Sequence, residues 1–232
     1  MNEINIRYSK IKEKYPREYI LLQGKGCFWK KCKFCDYFED ISKNSFELNS
    51  SIINKITGEF GVLDVINSGS AMEIDNETLD LLINKVKEKN IKEIWFEAHW
   101  LYKDKLKDFA KKFKGVSVKF RTGVETFNAD IREDFWNKGI PKHIDAQEIA
   151  KYFQSVNLLV GIKGQTFEDI SKDIEISEKY FERYIVNVFT KNSTSVQSDD
   201  DLIKRFMQEI YPNIKDNPKV EILINNTDLG VG

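Results

Sequence analysis

Two rhythms of apolar and polar positions alternate along the chain. Short apolar runs stand at Tyr19-Ile-Leu-Leu-Gln23, Val62-Leu-Asp-Val-Ile-Asn67 and Ile91-Lys-Glu-Ile-Trp-Phe-Glu97. Val116-Ser-Val-Lys-Phe-Arg121 continues the series into Thr122-Gly-Val-Glu125, and Asn157-Leu-Leu-Val-Gly161, Tyr184-Ile-Val-Asn-Val-Phe189 and Val220-Glu-Ile-Leu-Ile224 complete it. Runs of this length, rich in β-branched and aromatic residues, predict buried strands. Between them the spacing turns helical. Ser50 or Ser51 opens one helix through Ile52, Ile53, Ile56 and Phe60, and Asp75 or Asn76 opens another with Leu79, Leu82, Ile83 and Val86 on one face. Further helices are expected over Lys103 to Phe113, Ala129 to Lys138, Ala146 to Phe153, Phe167 to Phe181 and Asp200 to Tyr211. Gly139 stands where a left-handed cap would close the fourth of these seven helices.

Strands alternating with helices predict βαβ units on a parallel sheet. Six such units fall short of the eight in a closed barrel, which leaves a partial (βα)6 barrel or an open doubly wound sheet. The chain of 232 residues reads as one α/β domain over 1–232, with its core at about 19–190 and a last helix and strand within 200–232. A net charge of −1 builds no basic field for a polyanion, so no nucleic-acid partner is expected. No apolar run reaches the length of a membrane span, and the start Met1-Asn-Glu-Ile-Asn-Ile-Arg7 is too polar for a signal peptide. The expectation is a cytoplasmic protein without a membrane partner, its thiols kept reduced.

Chemistry concentrates in Gly26-Cys27-Phe28-Trp29-Lys30-Lys31-Cys32-Lys33-Phe34-Cys35-Asp36, which holds all three cysteines in C-x4-C-x2-C spacing directly after the first strand. Gathered thiolates select soft metal centres. A structural zinc site takes four protein ligands, and His99 or His143 would have to complete it. Three thiolates on an iron–sulfur cubane would instead leave one iron open to a small molecule. Other unusual residues also fall at strand ends, where parallel α/β folds gather their chemistry. They include Asn67-Ser68-Gly69-Ser70, Glu97-Ala98-His99-Trp100, Gly123-Val124-Glu125-Thr126 and Asn157 to Ile170.

The cysteine segment resembles the cluster loop of the radical S-adenosylmethionine (SAM) superfamily, where the usual spacing is C-x3-C-x2-C with an aromatic before the last cysteine, as Phe34 stands here. The strand ends match in order as well. Asn67 to Ser70 corresponds to the small-residue turn that meets the methionine moiety, and Glu125 to a carboxylate near the ribose. Gly161 and Ile162 fall in a segment that packs on adenine, with Lys163 and Gln165 replacing its usual Pro and Glu. Asn187, expected to be buried in the sixth strand, would meet adenine edges.

The resemblance implies a partial radical SAM barrel, a 4Fe–4S cluster on Cys27, Cys32 and Cys35, SAM as cofactor, and an electron donor such as flavodoxin or ferredoxin. Within the superfamily, the Glu-Ala-His-Trp strand end and the Asn-Asn-Thr-Asp terminus are similar to the small queuine lyases of queuosine salvage. Those enzymes split the C–N bond of queuine to release 7-aminomethyl-7-deazaguanine. The implied catalytic residues are Glu97, His99 and Asp36. A deazaguanine base would meet Glu97, His99, Trp100, Arg121, Lys163, Asn225, Asn226 and Asp228. A radical SAM enzyme acting on a protein or peptide, and a non-catalytic zinc or iron–sulfur module, are the alternatives.

Overall fold

The computed structural model describes residues 6–225 and 227–229. Among them, eight strands form one sheet whose order follows the chain. They are β1 (Tyr8–Ile11), β2 (Arg17–Leu22), β3 (Val62–Asn67), β4 (Glu93–Glu97), β5 (Ser117–Glu125), β6 (Ser155–Val160), β7 (Arg183–Val188) and β8 (Val220–Leu223). β1 pairs antiparallel with β2. The pairs β2–β3, β3–β4, β5–β6, β6–β7 and β7–β8 are parallel. The helices are α1 (Ser45–Ile53), α2 (Asn76–Glu88), α3 (Leu106–Ala110), α4 (Ala146–Ala150), α5 (Phe167–Tyr180), α6 (Asp200–Glu209) and α7 (Tyr211–Ile214). No described helix is long and apolar enough to cross a membrane.

By its contacts the chain divides into two compact units. The first draws on Met1–Lys30, Tyr37–Phe120 and Thr227–Gly232, the second on Lys31–Asp36 and Arg121–Asn226.

In the first unit, alternation along β4 sends Phe96 against Phe109 and Phe113, with ring centroids 5.1 and 5.3 Å away. At the amino ends of its strands the interior is charged. Arg17 and Asp64 are fully buried and bonded at 3.1 Å, and the guanidinium lies over Tyr15 and Tyr19. Asp75 caps α2 by accepting from the Thr78 amide, and Leu79, Leu82 and Val86 form its buried stripe, as the spacing predicted.

In the second unit, Thr166 and Asp169 form a reciprocal capping box that starts α5. Its core gathers Phe34, Ile131, Trp136, Leu159, Ile162 and Phe189.

Four local expectations are corrected. The first helix starts at Ser45 behind Asn44 and ends at Ile53, so Ser50 and Ser51 lie inside it rather than at its cap. The stretch from Trp100 to Lys105 is 3-10 helix, and only Leu106–Ala110 is α. The helix expected from Ala129 to Lys138 does start at Ala129 but becomes a π turn over Ile131–Phe135, closed by the Trp136 amide on the Ile131 carbonyl at 3.0 Å. Asn137 takes the left-handed position (φ +53°) immediately after the Trp136 cap, two residues before Gly139 (φ +81°). β1 was not expected at all: it is a four-residue edge strand, too short for a period-2 signal.

Candidate active site

In the first unit, β2 hands the chain to the cysteine segment through a sequence of polar clasps. Asn49 exchanges two hydrogen bonds with the backbone of Gln23, and the Gly24 amide donates to Ser68 Oγ at 3.0 Å. Gly26 adopts φ +92°, and a Cβ there would come within 3.1 Å of the Phe38 carbonyl, so the turn into Cys27 needs glycine. The next amide, Phe28 N–H, donates to Glu73 Oε1 at 3.0 Å.

Across from it is the turn after β3. Ser70 N–H donates to Glu73 Oε2 at 2.8 Å, and Asn67 Nδ2 donates to the Ser70 carbonyl. Ser68 and Ser70 are buried, and each hydroxyl accepts an amide, from Gly24 and His99 respectively. A Cβ on Gly69 would collide with the Glu73 carboxylate and come within 3.1 Å of Cys27 Cα. Gly69 thus lies close against the cysteine segment.

Glu97 is the half-buried last residue of β4. Because the strand ends there, alternation does not carry on to His99. That ring is positioned otherwise: Nδ1 accepts the Leu101 amide at 3.2 Å, and the imidazole stacks on Trp29 with centroids 5.2 Å apart. Nδ1 as acceptor leaves the proton of a neutral ring on Nε2. Trp100 is buried in the 3-10 turn with the Lys103 ammonium over its ring. Asp228 is exposed in this unit.

In the second unit, the rest of the cysteine segment is held from two sides. Lys33 N–H donates to the carbonyl of Trp136, which the π turn presents, and the Phe34 ring meets Trp136 edge-on at 5.7 Å. Asn192 Nδ2 donates to the Phe34 carbonyl at 2.7 Å, and the Ser193 amide and hydroxyl both reach Asp36 Oδ2 at 3.0 Å. Asp36 is thus engaged in holding its own segment. Cys32 and Cys35 pack on the apolar cluster around Phe34 and Ile162.

Beside them stands Lys138. Its ammonium is 2.8 Å from Glu125 Oε1 and 5.6 Å from the centroid of the Phe34 ring. Burial pulls its proton affinity down, but the Glu125 carboxylate, by charge and by hydrogen bond, raises it further, so it stays charged. Glu125 is buried at φ +68°, a strained setting for a side-chain-bearing residue. Gly123 makes the pair fit, since a Cβ there would collide with the Glu125 carboxylate and come within 2.7 Å of Lys138 Nζ.

Further along, Gly161 at φ +94° leaves room for Ile203, against which any Cβ would collide. Gln165 accepts from the amides of Gly161 and Ile162 and donates to the Leu159 carbonyl at 2.7 Å. A carboxylate at that position could not make the last bond, which accounts for Gln in place of Glu. Exposed Lys163 donates to Gln197 at 2.9 Å. Asn187 is half-buried rather than buried, with Nδ2 3.4 Å from the Leu158 carbonyl. Arg121 is buried and Asn225 exposed, while Asn226 lies outside the described residues.

Sequence reasoning missed Glu73, Lys138 and Asn192. Only Glu73 had a local signal, the Ser70-x-x-Glu73 spacing of a capping box.

The three cysteines are free thiols, each half-buried. Among the described residues, no group of three histidine, cysteine or acidic side chains is set out to hold a single metal ion. His143 is exposed. Thiolates of a cubane bind separate irons and need not converge on one point. Free thiols in this spacing, with a buried ammonium beside Cys32 and Cys35, fit an anionic iron–sulfur group.

No protein-family model matches the chain. An uncharacterized protein of Methanocaldococcus jannaschii is 30% identical over 184 residues, a match covering 69% of this chain and 47% of that protein, so the chain spans about half of that relative's length. Among solved structures, the queuine lyase from Clostridium spiroforme bound to SAM and queuine superposes with a TM-score of 0.93 at 46% identity, covering 98% of this chain and 99% of that one. The match fixes the fold class as the α/β partial barrel expected from the strand rhythm. At that identity and coverage, the chain belongs to the queuine lyase family of radical SAM proteins.

Proposed function

We propose that this chain is a queuine lyase, which splits the C–N bond of queuine to release 7-aminomethyl-7-deazaguanine. The observation that carries the reading is the end-to-end likeness to the Clostridium spiroforme enzyme, at 46% identity with no large segment added or lost. In this reading Cys27, Cys32 and Cys35 hold a 4Fe–4S cluster, and SAM lies at the carboxyl ends of the strands. Bound there, the cluster and SAM would supply the one-electron, radical chemistry needed to take a hydrogen atom from queuine. An electron donor such as flavodoxin or ferredoxin supplies the electron, and the protein works in the cytoplasm.

The remaining roles fall to side chains of this chain. Lys138 offsets negative charge beside Cys32 and Cys35. The turn Asn67 to Ser70, the segment around Phe34 and Ile162, and the strand ends at Glu125, Gly161 and Asn187 bind SAM. Glu97 accepts from the ring N–H and exocyclic amine of the deazaguanine, a charge-assisted contact worth about 1.5–3 kcal/mol. His99, whose Nδ1 accepts the Leu101 amide, offers Nε2–H as a donor. Trp100, Arg121, Lys163, Asn225, Asn226 and Asp228 remain as further substrate contacts. Asp36, with both oxygens engaged by Asn192 and Ser193, holds the cysteine segment rather than moving a proton.

The test is anaerobic turnover of the reconstituted chain with dithionite, SAM and queuine, scoring 7-aminomethyl-7-deazaguanine and 5′-deoxyadenosine separately. Both products are expected. Deoxyadenosine without the base product overturns the lyase assignment alone, and neither product overturns the radical SAM reading with it.

A further inference from the structure

Glu73 begins as an ordinary helix-start residue. Ser70-Ala-Met-Glu73 has the spacing of a capping box, and one carboxylate oxygen, Oε2, does what that box requires by accepting the Ser70 amide at 2.8 Å. The other oxygen does something a capping box does not need. Oε1 accepts the Phe28 amide at 3.0 Å and the Tyr102 hydroxyl at 2.8 Å. One side chain thus ties together the turn after β3, the 3-10 turn after β4, and the backbone of the residue that follows Cys27.

Two further observations say that this clasp is built. Gly69 leaves space that any side chain would deny, because its missing Cβ would strike the Glu73 carboxylate and crowd Cys27 Cα at 3.1 Å. Tyr102 is 9% exposed, and its hydroxyl is spent on Glu73 Oε1 at 2.8 Å. An ionised carboxylate accepts all three donors at once, whereas an amide must aim its N–H2 at one of them.

We infer that Glu73 is a positioning residue for the cluster: it fixes the Cys27 arm of the cysteine segment so that this thiolate holds its iron, with Tyr102 as its support. The inference rests on the cluster reading above and adds a residue to it. Outer partners that orient a metal ligand commonly change metal retention by about 10–100-fold when removed.

The test uses the full chain, reconstituted anaerobically, as wild type, Glu73→Ala, Glu73→Gln and Tyr102→Phe. Three quantities are read: iron and sulfide per chain, the rate of iron loss to a ferrous chelator, and the EPR spectrum of the reduced cluster. Thermal melts of the metal-free proteins report folding separately. Glu73→Ala is expected to lose iron at least about tenfold faster than wild type, with an altered EPR signal, and the Gln and Phe variants to fall between. If Glu73→Ala does not fold, Glu73→Gln and Tyr102→Phe decide the matter by the same readings. Variants that fold and match wild type in retention and spectrum overturn the inference while the cluster reading stands. A wild type that holds no iron overturns both.

Discussion

On the Cys27 side, the cysteine segment gives a backbone N–H to a carboxylate brought from elsewhere in the first unit, Glu73. On the Cys32–Cys35 side the bonding is mixed. There the Lys33 N–H goes to the Trp136 carbonyl, while the Phe34 carbonyl and the Asp36 carboxylate accept from Asn192 and Ser193 of the second unit. The nearby charges are reversed, with Glu73 close to the first arm and the Lys138 ammonium close to the second. The contrast teaches that one arm is set by geometry and the other also by charge. An uncompensated carboxylate beside a thiolate is tolerable only where N–H and O–H groups absorb its field, and Glu73 has three such donors.

If charge matters on the second arm, removing Lys138 should have the largest effect on stability. The ion pair is 12% and 9% exposed, so Lys138→Met strands the Glu125 carboxylate and should cost about 3–5 kcal/mol. The double variant Lys138→Met with Glu125→Gln restores neutrality and should recover more than half of that loss. Urea unfolding of the two proteins decides it, and a double variant as weak as the single one would mean that packing, not charge, is at issue.

A second way to probe that unit uses Asp173 on α5. Burial pushes Asp173 up to about 7, against the pull of the Phe127 amide and the Thr126 hydroxyl. The folded chain thus keeps a proton that the unfolded chain, with an ordinary value of 3.8, has already released. Stability from this group is full below the unfolded value and falls as pH rises between about 4 and 7, by up to about 1.4 kcal/mol per pH unit. Asp173→Asn keeps an acceptor for the Phe127 amide and removes the slope. Its urea midpoint should gain on wild type between pH 5 and pH 8, and an equal difference at both values would contradict the assignment.

The smallest expected effect concerns substrate on the first unit. Glu97→Gln keeps the shape but replaces an acceptor-only group with one that carries a mismatched donor. Queuine turnover should fall at least about tenfold, equivalent to roughly 1.4 kcal/mol, while 5′-deoxyadenosine still forms. Loss of both products together would place Glu97 with SAM rather than with the base.

How much of this was legible beforehand differs by the range of the interaction. β3 was read at its full length, Val62–Asn67, α5 and β7 to within a residue at either end, and α2 at its start, because their signals are local: caps at Asp75 and Thr166, and apolar runs flanked by turns. α1 was misplaced because Ser50 and Ser51 look like caps, while Asn44 starts the helix with no side-chain hydrogen bond at its cap. The π turn is invisible in the pattern, since its extra residue serves to aim the Trp136 carbonyl at Lys33, about a hundred positions away in sequence. The cysteines and the strand-end glycines stood out by composition alone. Lys138 and Asn192 did not, because a lone lysine or asparagine in a polar loop takes its meaning from a partner such as Cys32 or Phe34 far along the chain.

The most direct measurement is the EPR spectrum of the reduced, anaerobically reconstituted chain with and without SAM, run beside Cys32→Ala. Three thiolates on a 4Fe–4S cluster leave one iron open, so SAM should shift the wild-type signal. Cys32→Ala should lose both its iron and SAM cleavage, the latter by at least about 100-fold. A wild-type spectrum indifferent to SAM, or a Cys32→Ala chain with full iron that still cleaves SAM, would contradict the three-cysteine site.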